Sequence, residues 1–280
     1  MITALTRIGM MGLLIALANN GTKTQQPHKT NTTETKVAKA PTTRPTPTAK
    51  TQNRQAKSMA PLPIKLPKPL VGPTPKPLPP GVRVKIPRNK WAPRKPFLAP
   101  KGCSNIARGK RVSASDNDPV IGQLSQITDG SKDGSEDSYV ELGYGVQWVQ
   151  IDLGTRRQIH AIVAWHEHRL PIVYHDVIVQ VSDDKDFIEN VRTLFNNDHD
   201  NSAGMGIGED WGYFETYEGR LFPAKALRAR YVRLYSNGNT GDDLNRYTEI
   251  EVYAVPAGTQ KTAKKTAKKT PASKPEKPAR

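Results

Sequence analysis

The chain has 280 residues and a formal net charge of +16, and that charge is confined to its ends. From Asn19 to Gly102, 18 Lys/Arg stand against one acid, and from Val255 to Arg280 8 stand against one, whereas Cys103 to Ala254 carries 15 Lys/Arg and 24 Asp/Glu. The middle also holds three of the four Trp and all nine Tyr. Only the middle can bury a core, and the overall basicity excludes no function for it.

In chain order, Arg7 precedes the apolar run Ile8–Ala18, which ends in the small-x-small pattern Ala16-Leu17-Ala18. Residues 1–18 therefore read as a signal peptide, and the protein as exported, to the periplasm, the cell surface or the medium. The run is shorter than the roughly 20 apolar residues that span a bilayer, and no other segment reads as transmembrane. Residues 19–102 read as a disordered Thr/Lys/Pro-rich basic linker, with proline densest from Pro61 to Pro100, a composition that favours an extended spacer. Trp91 and Phe97 are unusual in a pure spacer and are candidates for docking on the folded part. Cys103 is the single cysteine, so no intrachain disulfide forms; it reads as a core or boundary residue. Residues 255–280, with Lys-Thr-Ala-Lys repeated at Lys261–Lys264 and Lys265–Lys268, read as a disordered tail. Such tails attract polyanions through counterion release, without reading a sequence, so no specific nucleic-acid partner is implied.

Residues 103–254 form short β-like runs between Gly, Asn and Asp turns. The predicted strands are Val146–Leu153, Ile159–Trp165, Tyr174–Val181, Thr193–Asn196, Tyr213–Tyr217, Arg230–Ser236 and Thr248–Tyr253. No twelve-residue stretch keeps a helical period. The pattern predicts an all-β, antiparallel jelly-roll sandwich. If consecutive strands alternate in direction, the loops Asp116–Gly145, His166–Ile172, Asn197–Gly212 and Asn237–Tyr247 gather at one end, and both flanking segments leave from the other.

Several motifs sharpen this. Asn105-Ile106-Ala107-Arg108-Gly109-Lys110 followed by Val112-Ser113-Ala114-Ser115, the turn Ile127-Thr128-Asp129-Gly130, the strand Gln147-Trp148-Val149-Gln150-Ile151-Asp152-Leu153-Gly154, the strand Ala229-Arg230-Tyr231-Val232-Arg233-Leu234 and the closing Glu249-Ile250-Glu251-Val252-Tyr253 together resemble, in order, the discoidin or coagulation factor V/VIII type C domain family of the galactose-binding-like fold. The resemblance implies a jelly roll that binds glycans, lipid head groups or proteins through end loops, often with a structural calcium. The chain departs from the animal pattern: Cys103 lacks a closing partner and the loop Asn196–Gly208 is longer. The look is that of bacterial members.

The resemblance places calcium ligands at Asp129 and Glu249, and the acidic loop between Thr128 and Asp137 adds Asp133, Glu136 and Asp137 as oxygen donors. Candidate ligand-binding residues are His166, His168, Arg169, Tyr174, Asp198, His199, Asn239 and Arg246, because imidazole, guanidinium, carboxylate and amide groups on end loops suit hydroxyl-rich or anionic partners. No Gly-x-Ser-x-Gly, His-Glu-x-x-His or Cys/His pairing is present, so no catalytic role is expected. The leading expectation is a non-catalytic module recognising carbohydrate or another cell-surface polymer. The alternative is an envelope tether whose basic tails bind polyanions and whose domain docks a protein.

Overall fold

The computed structural model describes residues 58–69, 77–78, 80–85 and 93–256. The expected signal peptide at 1–18, much of the linker and the Lys-rich tail at 257–280 lie outside the described residues. Among those described, the only helix is the 3₁₀ turn Leu124–Thr128, and no helix is long and apolar enough to cross a membrane.

All of the strands pair antiparallel, as the alternating pattern predicts, with long loops between them. In chain order the strands are β1 (Met59–Pro61), β2 (Leu98–Pro100), β3 (Ser104–Asn105), β4 (Val112–Ala114), β5 (Val140–Tyr144), β6 (Gln147–His166), β7 (Ile178–Ser182), β8 (Arg192–Asn196), β9 (Arg220–Ser236) and β10 (Leu244–Ala254). Two predicted strands, Val146–Leu153 and Ile159–Trp165, are the halves of one 20-residue strand. It bends after Leu153, where Gly154 takes φ +82 and the register with β9 is broken between Asp152 and Arg157. β9 bends beside it: Lys225 and Ala226 both have positive φ, and the register shifts again between Ile159 and Ala161. Register breaks of this kind let a strand pass from one layer of a sandwich to the other. The predicted strand Tyr213–Tyr217 is irregular; the chain enters the sheet later, at Arg220.

The bends create two layers. The first halves of β6 and the last residues of β9 pair with β4 and β7, and β7 pairs with β8. The second half of β6 and the start of β9 lie with β10, which also pairs β3 and β5. Val149, Ile151, Val179 and Leu234 from one layer meet Ile162, Ala164, Ile250 and Val252 from the other in a continuous core. Across this core the Ser236 and Tyr247 hydroxyls are hydrogen-bonded at 2.9 Å.

The second layer is buried on both faces. Every residue from Ala161 to His166 is buried, as expected of a strand whose sequence is apolar at consecutive positions rather than alternate ones. Its outward side chains, Ala161, Val163 and Trp165, pack with Leu62, Ala99, Cys103 and Tyr253 and with the partly buried Ile64, Phe97 and Leu221. The cover is the proline-rich arm. Its two strands pair in register from Met59↔Pro100 to Pro61↔Leu98, and the backbone N–H of Arg94 reaches the Glu218 carboxylate at 3.0 Å. This corrects the expected domain boundary at Cys103 and the expected disorder throughout 19–102. Proline does not prevent the packing, because a short edge pair needs few N–H donors. Phe97 docks, as its presence in the linker suggested; Trp91 lies outside the described residues. Cys103 is buried in the seam, where desolvation raises its thiol pKa.

Removing residues 1–102 should therefore lower the denaturant midpoint of the remaining chain and expose an apolar strip along Ala161, Val163 and Trp165. Leu62→Ala alone should cost about 2 kcal/mol, typical of a large-to-small change at a buried Leu, measured by urea unfolding. An unchanged midpoint in both variants would show that the arm contributes nothing to the fold.

Candidate functional site

The paired bends carry both ends of β6 and β9 to one end of the sandwich. There Tyr174 bridges Asn239, Val173 and Thr240 exchange hydrogen bonds of 3.1 and 2.9 Å, and His175 and Asn237 are joined through Gly238 O and His175 O at 3.0 and 2.9 Å. Asn197 N–H donates to Val177 O at 3.2 Å. The loops after His166, Asn196 and Ser236 thus share one end, as expected. β3 and the end of β10 pair beside the bends. The C-terminal flank therefore leaves from the opposite end, as expected, but the N-terminal arm does not simply depart. Arg83 O and Lys85 N–H bond Gly212 at 2.8 and 3.1 Å, so the arm reaches the loop end as well.

A cleft of about 570 Å³ lies between these pieces. Its walls are Gly81 and Arg83 of the arm, Tyr174, His175 and Asp176 before β7, Asn197, His199, Asp200 and Ser202 after β8, and Asn237 after β9. The long loop is locked where it starts and ends: Asn196 N–H donates to the Asp210 carboxylate at 2.8 Å, and Asp210 N–H to Asn196 O at 2.9 Å. Gly208 is required at this closure, since a Cβ there would stand 2.3 Å from Asn196 O. His199 Nε2 donates to Asp210 O at 2.9 Å. Asp176 accepts from Ser202 Oγ at 2.7 Å and from Asn237 Nδ2 at 2.8 Å. Beside the cleft, Trp211 is 48% exposed, and the Arg83 guanidinium lies 4.9 Å from its ring centroid.

The expected ligand-binding set divides. His199 and Tyr174 line the cleft, and Asp198 lies fully buried at the base of the same loop. Tyr174 contributes little surface, being 2% exposed, and burial pushes its hydroxyl pKa well up. His166 is a core residue: it is 0% exposed, donates to Glu215 Oε1 at 2.7 Å and stacks on Tyr174 at 4.3 Å. His168 is also buried; its Nε2 donates to Lys132 O at 3.2 Å, and desolvation lowers its pKa. Arg169 is half-buried between Glu136 and Glu167. Arg246 is consumed internally, 2.6 Å from Glu141 and 2.8 Å from Asp242, and Asn239 staples its own loop through Asp242 and Leu244. The expected cluster on His166, His168, Asn239 and Arg246 is thereby corrected. These polar groups sit under the loops and hold them, because a buried polar side chain needs partners wherever the fold places it.

Sequence reasoning left out Arg83, Asp176, Asp200 and Trp211. The alternation Asn196, Asp198, Asp200, Ser202 was a legible signal of a turn built from oxygen donors. Arg83 carried no signal, since its place depends on the arm crossing to Gly212.

Of the expected calcium set, Asp129 and Glu249 come together. Glu249 is fully buried; its Oε2 accepts from Gly130 N–H at 3.1 Å, and its Oε1 is sealed from solvent without a donor. Desolvation, with the charges of Glu251 and Asp129, pushes its pKa up to about 9. Asp133 and Asp137 are exposed, and Asp133 accepts from Ser135 N–H at 3.1 Å. They do not join Asp129 and Glu249 in a common group: among the described residues the one cluster of three acidic, His or Cys side chains is Asp176, Asp198 and Asp200.

No protein-family model matches the chain, and no curated protein matches it. Solved structures do. A family 89 glycoside hydrolase from Clostridium perfringens is similar over 55% of this chain at 20% identity and a TM-score of 0.41, with this chain spanning only 15% of its length. Chitosan-binding module 1 of a chitosanase/glucanase from Paenibacillus sp. IK-5 is similar at 22% identity and a TM-score of 0.37, over 54% of this chain and 99% of the module. A CBM32 module of AlyQ, solved with 4,5-unsaturated mannuronic acid, is similar at 16% identity and a TM-score of 0.37, over 51% of this chain and 92% of the module.

Proposed function

We propose that the sandwich is a non-catalytic carbohydrate-binding module of an exported protein, and that its ligand enters the cleft at the loop end. One observation carries the reading: an exposed indole stands next to a cleft whose walls offer carboxylate, imidazole, amide and hydroxyl groups. A sugar ring has the matching surfaces, an apolar C–H face for Trp211 and a rim of hydroxyls that both donate and accept. The scaffold is well suited to hold such groups, because the loops are cross-bonded and carried by strands.

Calcium at Asp129 and Glu249 belongs to the same proposal. The two carboxylates fit a hard cation: Glu249 Oε1 is buried without any donor, and no Lys or Arg pairs with Glu249 among the described residues. Backbone carbonyls and water would complete the shell. The ion would supply positive charge where two acids meet and fix the turn Thr128–Ser131 against β10.

Isothermal titration of the full-length chain against chitosan, alginate and galactose-containing oligosaccharides should find one that binds. Trp211→Ala should then weaken it about two- to tenfold, consistent with loss of one aromatic contact worth roughly 0.5–1.5 kcal/mol, with an unchanged melting curve. Full affinity in Trp211→Ala would move the site elsewhere, and a glycan array showing no bound sugar would defeat the reading.

The metal-free protein should also show a pH signature. A carboxyl whose folded pKa is raised to about 9 binds its proton more tightly folded than unfolded. Its contribution to stability is present below the unfolded value and is lost as pH rises from about 4.5 towards 9. In chelator, Glu249→Gln should flatten that decline, and in calcium the wild-type chain should regain stability at pH 8. Identical pH profiles for the two proteins, with and without calcium, would remove Glu249 from a metal site.

A further inference from the structure

The loop after β8 gathers carboxylates that the sugar-binding reading does not need. Asp176, Asp198 and Asp200 offer oxygens that all lie within 4.8 Å of one another. None of the three is in a salt bridge with Lys, Arg or His among the described residues. Asp198 is 0% exposed, so its charge is taken out of water beside two like charges. Backbone N–H groups of Ser202 and Ala203 bond its two oxygens at 3.0 Å each, which solvates the carboxylate without neutralising it. Burial and the Asp176 charge accordingly raise the Asp198 pKa.

A second, independent sign comes from Asn197. It lines the same cleft as Asp176 and Asp200, is only 8% exposed, and its carboxamide oxygen is sealed from solvent with no hydrogen-bond donor. An acceptor in that condition is costly unless something positive faces it. Asp176 has an oxygen free for a ligand: Ser202 Oγ and Asn237 Nδ2 both bond its Oδ2, and no group among the described residues bonds its Oδ1, which belongs to a partly exposed side chain.

We propose that Asp176, Asp198 and Asp200, with the Asn197 carboxamide oxygen, bind a calcium ion in the wall of the cleft. Calcium holds oxygen ligands at about 2.3–2.6 Å, so ligands on opposite sides of the ion stand up to about 5 Å apart, the spacing found here. The donors are all oxygen, which selects a hard cation over zinc or copper. Three come from the loop after β8 and one from the turn before β7, so the ion ties together two walls of the cleft. The inference does not rest on the sugar-binding reading, and it is separate from the Asp129 and Glu249 pair.

Calcium titration of the full-length chain by calorimetry tests it, with Glu249→Gln removing the other pair. The Glu249→Gln chain should still bind one calcium. Adding Asp200→Asn, an exposed change that leaves the fold intact, should weaken that ion about tenfold or more, as expected when a site loses ligand charge. Adding Asp176→Asn as well should abolish binding. Should Glu249→Gln fail to fold, the same losses are read in the wild-type background as one calcium fewer per chain. No calcium taken up at millimolar concentration, or an affinity unchanged by Asp176→Asn with Asp200→Asn, would overturn the proposal.

Discussion

The fold depends on the pairing of β6 with β9 through two bends. These strands stay in antiparallel register from Gln147↔Ser236 to Ala164↔Arg220 while both pass from one layer to the other. Because they bend together, hydrogen bonding survives the corner with only local register shifts, and the left-handed residues Gly154, Lys225 and Ala226 absorb the turn. A pair folded in this way returns all four of its ends to one edge of the sandwich. Each loop attached there is then forced into contact with the others. The cleft is a consequence of that geometry before any of its side chains is chosen.

The same geometry explains why reading the strands in alternating directions reached the correct end of the molecule from incorrect elements. Val146–Leu153 and Ile159–Trp165 are one strand, yet its halves run in opposite senses across the sandwich, so counting them as two antiparallel strands gave the right parity. The predicted strand Tyr213–Tyr217 was replaced by Arg220–Ala224, again one passage for one. Alternation in Val149, Ile151 and Leu153 made the first layer legible because one face is solvated. In the second layer the run Ala161–Trp165 is apolar on both sides. That was itself a signal that something must cover the outer face, and Leu62, Ile64 and Phe97 of the flanking chain do so. Linker composition concealed them, since proline and lysine dominate the average.

The site was less legible than the fold for a physical reason. Polar residues on loops read alike whether they face solvent or hold the loop from beneath. His166 and Arg246 look like ligands in sequence and are structural in space: one stacks on Tyr174 and packs tilted against Tyr247, the other is bonded by Glu141 and Asp242. Which role a residue takes depends on the bend of the chain around it, and periodicity does not record that. Glu249 was legible only through the discoidin resemblance, because a lone acid in a closing strand has no local pattern. Asp198, Asp200 and Ser202 are the exception. Oxygen donors at alternate positions in a turn describe their own geometry, each carboxylate taking N–H groups a few residues on.

The arm changes what the two flanks of the domain are. A spacer leaving from the bend end would be independent of the loops, and length alone would set how far it holds them from an anchor. Here the described parts of the arm pack along the outer face of the second layer and then bond Gly212 at the loop end, placing Arg83 against Trp211. Displacement of residues 80–85 is therefore felt at the cleft, through a contact made by two backbone hydrogen bonds and one cation–π pair, each individually weak. The apolar seam under Leu62 and Phe97 is the stronger attachment. A pull from the N-terminal side loads β1 and Leu62 first, because they precede Arg83 in the chain, so the seam shields the weaker Arg83 contact that forms the arm's wall of the cleft.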